Sequence, residues 1–124
     1  MKNPHLQNNH AQGITGQNHA ETFLKGLGLH IIARNYRVKT GEIDLIAKDD
    51  NYIVFIEVKT RTSTNYGNPA EAVTYHKQQK IIRTALHYLH RYKLTESNIR
   101  FDVVEILLLN GKPYGKHIEN AFWA

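Results

Sequence analysis

Three charged side chains in the stretch from Gly41 to Arg61 occupy strand positions where apolar residues are usual. They are Asp44, Glu57 and Lys59. The stretch is typical of two β-strands joined by a short polar turn, and side chains alternate between the faces of a strand. Glu57 and Lys59 therefore share a face. A turn of two or four residues places Asp44 on that same face, with its Cβ atom about 5 to 8 Å from that of Glu57.

Two carboxylates and an ammonium group on one sheet face suit metal-assisted hydrolysis of a phosphodiester. Charges taken out of water need an offset, and Mg²⁺ or Mn²⁺ provides one because both prefer hard oxygen ligands. We expect Asp44 and Glu57 to bind such an ion, with the backbone carbonyl of Val58 as a further ligand. Lys59 would position or deprotonate the attacking water, or stabilise charge on the phosphate. The competing interpretation is a solvated strand face on which charges simply alternate.

Hydrophobic periodicity and turn residues predict an α/β domain around this hairpin. Residues 1–13 are polar and are expected to form a flexible tail, and residues 14–124 a single domain. The expected elements, in chain order, are a helix at Gly16–Lys25, strands at Leu29–Val38, Glu42–Ala47 and Tyr52–Lys59, a helix at Tyr75–Tyr92 and a strand at Asn98–Leu109.

Connections and caps complete this assignment. Thr15 and Thr74 are expected to cap the two helices. Polar composition predicts a hairpin turn at Lys48–Asn51 and a loop at Thr60–Val73. The end of the chain is expected to be a short segment docked through Phe122 and Trp123.

Two apolar faces are expected to cover the core. One belongs to the first helix, and the other is the hairpin face opposite the charges. Their members are Ala20, Phe23, Leu24 and Leu27 in the helix, and Ile43, Leu45, Ala47, Val54, Ile56 and Val58 in the hairpin.

The cysteine content, apolar runs and net charge of the chain limit the classes of function that it can have. The chain has 124 residues, no cysteine and a net charge of +5. The lack of cysteine excludes disulfides and thiolate metal sites. With no long apolar run, we expect a cytoplasmic protein without a membrane span or secretory signal. The positive charge is compatible with a polyanion partner such as nucleic acid, and the competing interpretation is a set of merely solvated basic faces. The candidate phosphate contacts are Arg34, Arg37, Lys80 and Arg83.

The segments GEIDLIA, VFIEVKTR, NYGNPAEAV, HKQQK, RFDVVEI and IENAF occur in this order in the chain. In them, and over residues 16–122 as a whole, the chain resembles the YraN-type family of small, largely uncharacterised bacterial proteins. That family is similar to the PD-(D/E)xK nuclease superfamily, which includes archaeal Holliday-junction resolvases. The resemblance implies a restriction-endonuclease-like α/β fold in three layers, with a central mixed β-sheet flanked by helices.

The same resemblance implies a function. It implies an endonuclease that depends on Mg²⁺ or Mn²⁺ and acts on DNA, with branched or damaged DNA in recombination or repair as the expected substrate. By motif, the superfamily's aspartate, second acid and lysine correspond to Asp44, Glu57 and Lys59. Resolvase-like relatives are often dimers, so a homodimer is among the expectations.

One position departs from the pattern of the relatives. They usually carry a glutamate in the first helix that helps to hold the metal, whereas this chain has Gln17, with Glu21 one turn further on. The departure favours an alternative function, a nucleic-acid-binding module of the same fold that does not cleave. A third hypothesis is a protein-interaction subunit that uses Phe122 and Trp123. The auxiliary site candidates are Gln17, Glu21, Glu42, Arg61, Lys77 and Gln78.

Overall fold

The structure, a computed structural model, describes residues 16–61 and 73–124. Helix α1 occupies residues 16–26. The other elements, in chain order, are strands β1 (His30–Val38), β2 (Gly41–Asp49) and β3 (Tyr52–Arg61), helix α2 (Tyr75–Arg91), and strands β4 (Asn98–Leu109) and β5 (Lys112–Phe122). The five strands form one sheet in the order β1-β2-β3-β4-β5.

The sheet is mixed because β3 and β4 run parallel, whereas the other neighbours are antiparallel. A parallel pair needs a crossover connection, and α2 lies in it. An apolar cluster covers each face of the sheet, one including α2 and the other α1. These layers confirm the expected fold class, an α/β sheet flanked by helices and consistent with restriction-endonuclease-like architecture.

The central hairpin closes through two residues, Asp50 and Asn51, because Asp49 pairs with Tyr52. Asp50 adopts a positive φ of 52°, as tight hairpin turns require. Both strands therefore extend further toward the turn than the four-residue estimate. We expected one face of the hairpin to cover the core. In the structure, both faces of the hairpin are covered by apolar clusters. Ile46 and Phe55 pack on the α2 side, and Leu45 and Ile56 on the α1 side.

Helix α2 begins and ends close to its predicted limits. The Thr74 hydroxyl accepts a hydrogen bond from the Lys77 backbone N–H at 3.2 Å, which confirms the predicted cap. In α1, Ala20 and Leu24 are fully buried as predicted, but Leu27 is 54% exposed because the helix ends one residue before it. The predicted Thr15 cap, the tail at 1–13 and residues 62–72 of the predicted loop lie outside the described residues.

The C-terminal segment is not the short docked segment expected from the sequence. Asn110 and Gly111 adopt positive φ and turn the chain back, so that β5 pairs along β4 as an edge strand. Phe122 is buried and stacks on Phe101 with ring centroids 5.1 Å apart. Trp123 is 74% exposed, so the expected docking through both aromatic residues is wrong for Trp123 and holds for Phe122 alone.

The two helices were also compared with the requirements of a membrane span. Over the ranges 16–61 and 73–124, no helix is both long and apolar enough to cross a bilayer.

Candidate active site

The three predicted catalytic side chains come together where β2 and β3 separate. The paired register of these strands runs from Asp49 and Tyr52 as far as Leu45 and Ile56. One residue further, Asp44 stands opposite Glu57. There the Asp44 carboxylate oxygen Oδ2 accepts a hydrogen bond from the Val58 backbone N–H at 2.8 Å. A side chain thus takes the place of a strand carbonyl, and the ladder ends at the site.

In β2 the alternation of side chains between the two faces of the sheet is broken at Asp44, and we call this break the change of facing. Leu45 and Ala47 pack on the α1 side as alternation requires, but Ile43 packs in the α2-side cluster. Strict alternation would place Ile43 beside Leu45. The predicted common face of Ile43, Leu45 and Ala47 is therefore wrong at Ile43. The change of facing frees the Asp44 carboxylate to turn toward β3.

Glu57 is buried and forms an ion pair with a lysine of α2. Its side chain is only 9% exposed, and its Oε1 lies 3.3 Å from the Nζ of Lys77. Lys77 is two positions into the first turn of α2, so the helix start is held against the hairpin. Lys59 is half-buried on β3, and its ammonium is near enough to that of Lys77 for the two charges to interact. The site thus comprises two acids from the hairpin and two lysines, one from β3 and one from α2.

Crowding of like charges shifts the acid–base properties of this group. Burial, and next the negative charge of Glu57, raises the pKa of Asp44 to about 7. Burial, together with the neighbouring Lys77 ammonium, lowers the pKa of Lys59. Burial also opposes the charged form of Lys77, but its contacts with Lys59 and Glu57 outweigh it and raise the pKa of Lys77. Asp44 therefore exchanges its proton near neutral pH, a property typical of functional carboxylates.

This raised pKa predicts how stability depends on pH. Folded Asp44 keeps its proton up to about pH 7, whereas the unfolded chain releases it near pH 3.8. The contribution of Asp44 to the free energy of unfolding is therefore complete below pH 4 and is lost as the pH rises to 7. We expect Asp44→Asn to stabilise the metal-free protein at pH 8 by about 1–2 kcal/mol, discounted for partial exposure, and to change little at pH 4. Urea unfolding in EDTA across this range measures the difference.

The control for this experiment is Glu96→Gln, which neutralises an exposed carboxylate in the turn after α2. We expect its effect to stay small at every pH. A difference between wild type and Asp44→Asn that does not grow between pH 4 and 8 would contradict the assignment.

The donor set fits a hard divalent cation. Asp44 and Glu57 offer carboxylate oxygens, and the carbonyl of Val58 is the predicted further ligand on the same strand. Within residues 16–61 and 73–124, no group of three or more His, Cys, Asp or Glu side chains is placed to hold a metal. Two carboxylates completed by a backbone oxygen and water are the kind of set that Mg²⁺ takes. These residues would not make a zinc-type site.

Gln17 and Glu42 lie in a separate polar cluster beside the site. The Gln17 and Asn35 amides are hydrogen-bonded in both directions, at 2.8 and 3.1 Å. Asn35 also donates to Glu42 at 3.2 Å, and Arg37 donates to the other Glu42 oxygen at 2.9 Å. By the β1–β2 register, Asn35 lies across from Asp44. Gln17 therefore approaches the site through Asn35, and the auxiliary candidate Glu42 bonds to Asn35 and Arg37.

The remaining auxiliary candidates have structural partners. Glu21 binds Arg34, and the hydrogen bonds from that guanidinium lower the pKa of Glu21 to about 2. Arg61 pairs with Glu105, at 3.3 Å between Nε and Oε1. The Gln78 amide donates to the Val73 carbonyl at 2.9 Å and braces the start of α2.

The predicted phosphate contacts fall into two groups. Arg34 and Arg37 on β1 are engaged by Glu21 and Glu42 respectively. Lys80 and Arg83 are exposed on the outer side of α2. Arg34 and Arg37 are therefore already paired with an acid, whereas Lys80 and Arg83 face solvent on one helix.

A buried ionic network was missed by the sequence reasoning, which gave Asp102 no role. Asp102 is 0% exposed and accepts hydrogen bonds from Arg100, His117 and the Asn120 backbone N–H. The available signal was an arginine and an aspartate two residues apart on an otherwise apolar strand. Residues two apart on a strand point to the same face of the sheet, so this spacing indicates a buried ion pair. The network lies on the α1 side of the sheet, away from the carboxylate pair.

The fold and the site define a class of protein: a small α/β domain of restriction-endonuclease-like architecture with a charged hairpin at its centre. The sequence model of the uncharacterised protein family UPF0102 matches residues 16–106. The chain belongs to this family, which is the YraN-type family expected from its motifs.

Three relatives show how far the similarity extends. A UPF0102 protein of Clostridium acetobutylicum is 47% identical over 116 residues, covering 92% of this chain and 95% of the relative. One from Clostridium botulinum strain Hall is 49% identical over 113 residues, and one from Clostridium kluyveri is 46% identical over 112 residues. For both, the match covers 89% of this chain and 92% of the relative.

Proposed function

We propose that this protein hydrolyses phosphodiester bonds in nucleic acid, with a Mg²⁺ or Mn²⁺ ion held by Asp44, Glu57 and the Val58 carbonyl. The observation that carries the proposal is the convergence of two carboxylates and two lysines where the hairpin strands separate. Such a cluster is costly to keep in a folded protein. A role in binding a cation and a phosphate accounts for its charges of both signs.

Each residue of the cluster has a chemical role in this proposal. The ion supplies charge neutralisation at the phosphate and a lowered pKa for the attacking water. Asp44 is held in place for binding by the Val58 N–H, and Glu57 by burial. Lys59 orients the water or donates a hydrogen bond to the phosphate. Its lowered pKa makes proton exchange with that water easier than for an ordinary lysine.

Helix α2 supports nucleic acid as the substrate. None of its seventeen residues is acidic. His76, Lys80, Arg83 and His87 recur at helical spacing, and all are exposed. They form one outward stripe that begins beside Lys77 and thus beside the carboxylate pair. The two cations of this stripe, Lys80 and Arg83, lie on the helix that begins at the proposed hydrolytic site, an arrangement that suits contacts with a phosphate backbone.

DNA is the nucleic acid that the family resemblance favours, with branched or damaged DNA as the structure cleaved. A homodimer belongs to the same proposal, because resolvase-like relatives often act as pairs. The choice of DNA over RNA follows from this resemblance and not from any contact in the site.

The direct test is a cleavage assay across substrates and metals. Duplex, single-stranded and four-way-junction DNA, with matched RNA strands, would be incubated with the purified protein in Mg²⁺, Mn²⁺ or EDTA. We expect strand cleavage in Mg²⁺ or Mn²⁺, none in EDTA, and more on branched than on plain duplex DNA. No cleavage of any substrate by a protein that binds Mn²⁺ would count against the proposal.

The alternative function is a nucleic-acid-binding module that does not cleave. The neutral Gln17–Asn35 amide pair favours it, because an acid at Gln17 would have added a ligand near the site. In this case binding depends on salt, through the α2 stripe, and is the same with and without EDTA. Salt-dependent binding in EDTA together with no cleavage would select this alternative.

A further inference from the structure

Lys77 makes a contact that the proposed chemistry does not use. Its Nζ lies 3.3 Å from Oε1 of Glu57, one of the two carboxylate oxygens through which this residue would bind a divalent cation. The Glu57 side chain is 9% exposed, whereas that of Lys77 is 41% exposed. The lysine therefore reaches from solvent into a buried acid. Its head group can return to water by rotation of its own stem.

The other lysine of the site is placed differently. Lys59 lies on β3, two residues after Glu57, so the strand fixes its position. Lys77 comes from another element, at the start of α2, and its ammonium is the group paired with Glu57. Of the two lysines, Lys77 can leave the acid without any change in the backbone.

We propose that Lys77 is a resident counter-ion of Glu57 that competes with the divalent cation and leaves the carboxylate when the cation binds. The inference rests on the metal site of the proposed function. Two cations beside one carboxylate repel each other, so whatever stabilises the Lys77–Glu57 pair weakens metal binding. Lys77 in this way sets the metal affinity of the site without being a ligand. Once displaced, its ammonium lies beside the position of the substrate phosphate.

The test is a calorimetric titration of Mn²⁺ into wild type, Lys77→Met and Lys77→Arg. Methionine keeps the length of the side chain and removes its charge. We expect Lys77→Met to bind Mn²⁺ about tenfold more tightly, a change in Kd that corresponds to about 1.4 kcal/mol. Lys77→Arg, which keeps the charge, should bind as wild type does.

The matched control is Lys80→Met. It makes the same substitution in the same helix, on an exposed residue that lies on the outward stripe. We expect its Mn²⁺ affinity to change less than twofold, because exposed charges at a distance are screened. An equal gain in Lys80→Met and Lys77→Met would show a general charge effect and overturn the proposal.

Thermal unfolding gives a second readout that is independent of activity. In EDTA, Lys77→Met leaves Glu57 buried without its counter-ion, so we expect its Tm to lie about 3–6 °C below that of wild type. In saturating Mn²⁺ the cation replaces the lysine, and the difference should vanish or reverse. A loss of Tm that is equal in both conditions would indicate a packing role only.

The outcomes separate this inference from the proposed function. If wild type and all variants fail to bind Mn²⁺, the metal site itself is wrong. If wild type binds and Lys77→Met binds equally well, only the competition is wrong. Tighter binding with a metal-dependent recovery of Tm supports both.

Discussion

Cleavage by this protein is expected to fall by about a hundredfold or more when either acid of the site is neutralised, as in Asp44→Asn or Glu57→Gln. Each substitution keeps the size of the side chain and removes a charged oxygen ligand, so the site loses affinity for a hard cation. Lys59→Met should lower cleavage by about 10²–10³-fold, the range seen when one charge-stabilising donor is removed. Rates on the substrate cut fastest by wild type, at saturating Mn²⁺, measure these effects.

Measurements of metal binding distinguish the proposed metal ligands, Asp44 and Glu57, from Lys59. Asp44→Asn and Glu57→Gln should weaken Mn²⁺ binding in the calorimeter, whereas Lys59→Met should not. The controls are Glu96→Gln and Lys112→Met, which make the same chemical changes at exposed positions, one in the turn after α2 and the other at the start of β5. Cleavage that persists at the wild-type rate in all three site variants would identify a contaminating nuclease and refute the mechanism.

The pairing of Asp44 with Glu57 was predictable because strand parity and a short turn determine it. Both turn lengths considered, two and four residues, keep Asp44 and Glu57 on one face, and the observed two-residue turn at Asp50-Asn51 aligns them directly. The two helices were also predictable, whereas the strand order was not predicted and β5 was missed. Caps such as Thr74, and apolar periodicity, are local properties of the sequence.

The rest of the site depends on contacts that local patterns do not encode. The change of facing at Asp44 arises because its carboxylate bonds to the Val58 N–H in place of a strand carbonyl. That substitution requires the folded hairpin. Lys77 was one of several cations on an amphipathic helix, and only the packing of α2 on the sheet selects it as the partner of Glu57.

Position 17 illustrates the limit of a motif. The glutamine was recognised as a departure from the relatives, but its partner Asn35 was not foreseen. Asn35 adopts a positive φ of 49° on β1, a conformation for which asparagine is suited. The reciprocal amide pair then fixes α1 to β1 beside the site. A neutral side chain at position 17 has a structural role here whether or not a metal binds nearby.

The largest effect on stability is expected at Asp102, which lies on the opposite face of the sheet from the carboxylate pair. Its Oδ2 accepts hydrogen bonds from Arg100 at 2.9 Å and His117 at 2.6 Å, and its Oδ1 accepts one from the Asn120 N–H at 3.1 Å. Burial alone would raise the pKa of Asp102, but the hydrogen bonds from His117 and Arg100 outweigh it and lower that pKa. The charged form is therefore the one that the fold stabilises.

Asp102→Ala removes the acceptor and leaves the Arg100 guanidinium, itself 8% exposed, without its buried partner. We expect a loss of about 3–5 kcal/mol in the free energy of unfolding, the range for breaking one side of a buried ion pair. Urea unfolding at pH 7 in EDTA measures it. Because the pKa is lowered on folding, the contribution of Asp102 is present above pH 3.8 and is lost as the pH falls through the folded value.

The graded control is Asp49→Ala, which removes the other partner of Arg100. Asp49 lies 3.0 Å from the Arg100 Nη1, but its side chain is 29% exposed, so water can replace it. We expect a loss of about 1 kcal/mol or less there. Both substitutions delete an aspartate bonded to the same arginine, so the contrast measures what burial and the further hydrogen bonds from His117 and Asn120 add at Asp102. Similar losses at both positions would show that the arginine's total charge balance, and not the burial of Asp102, determines the stability of the network.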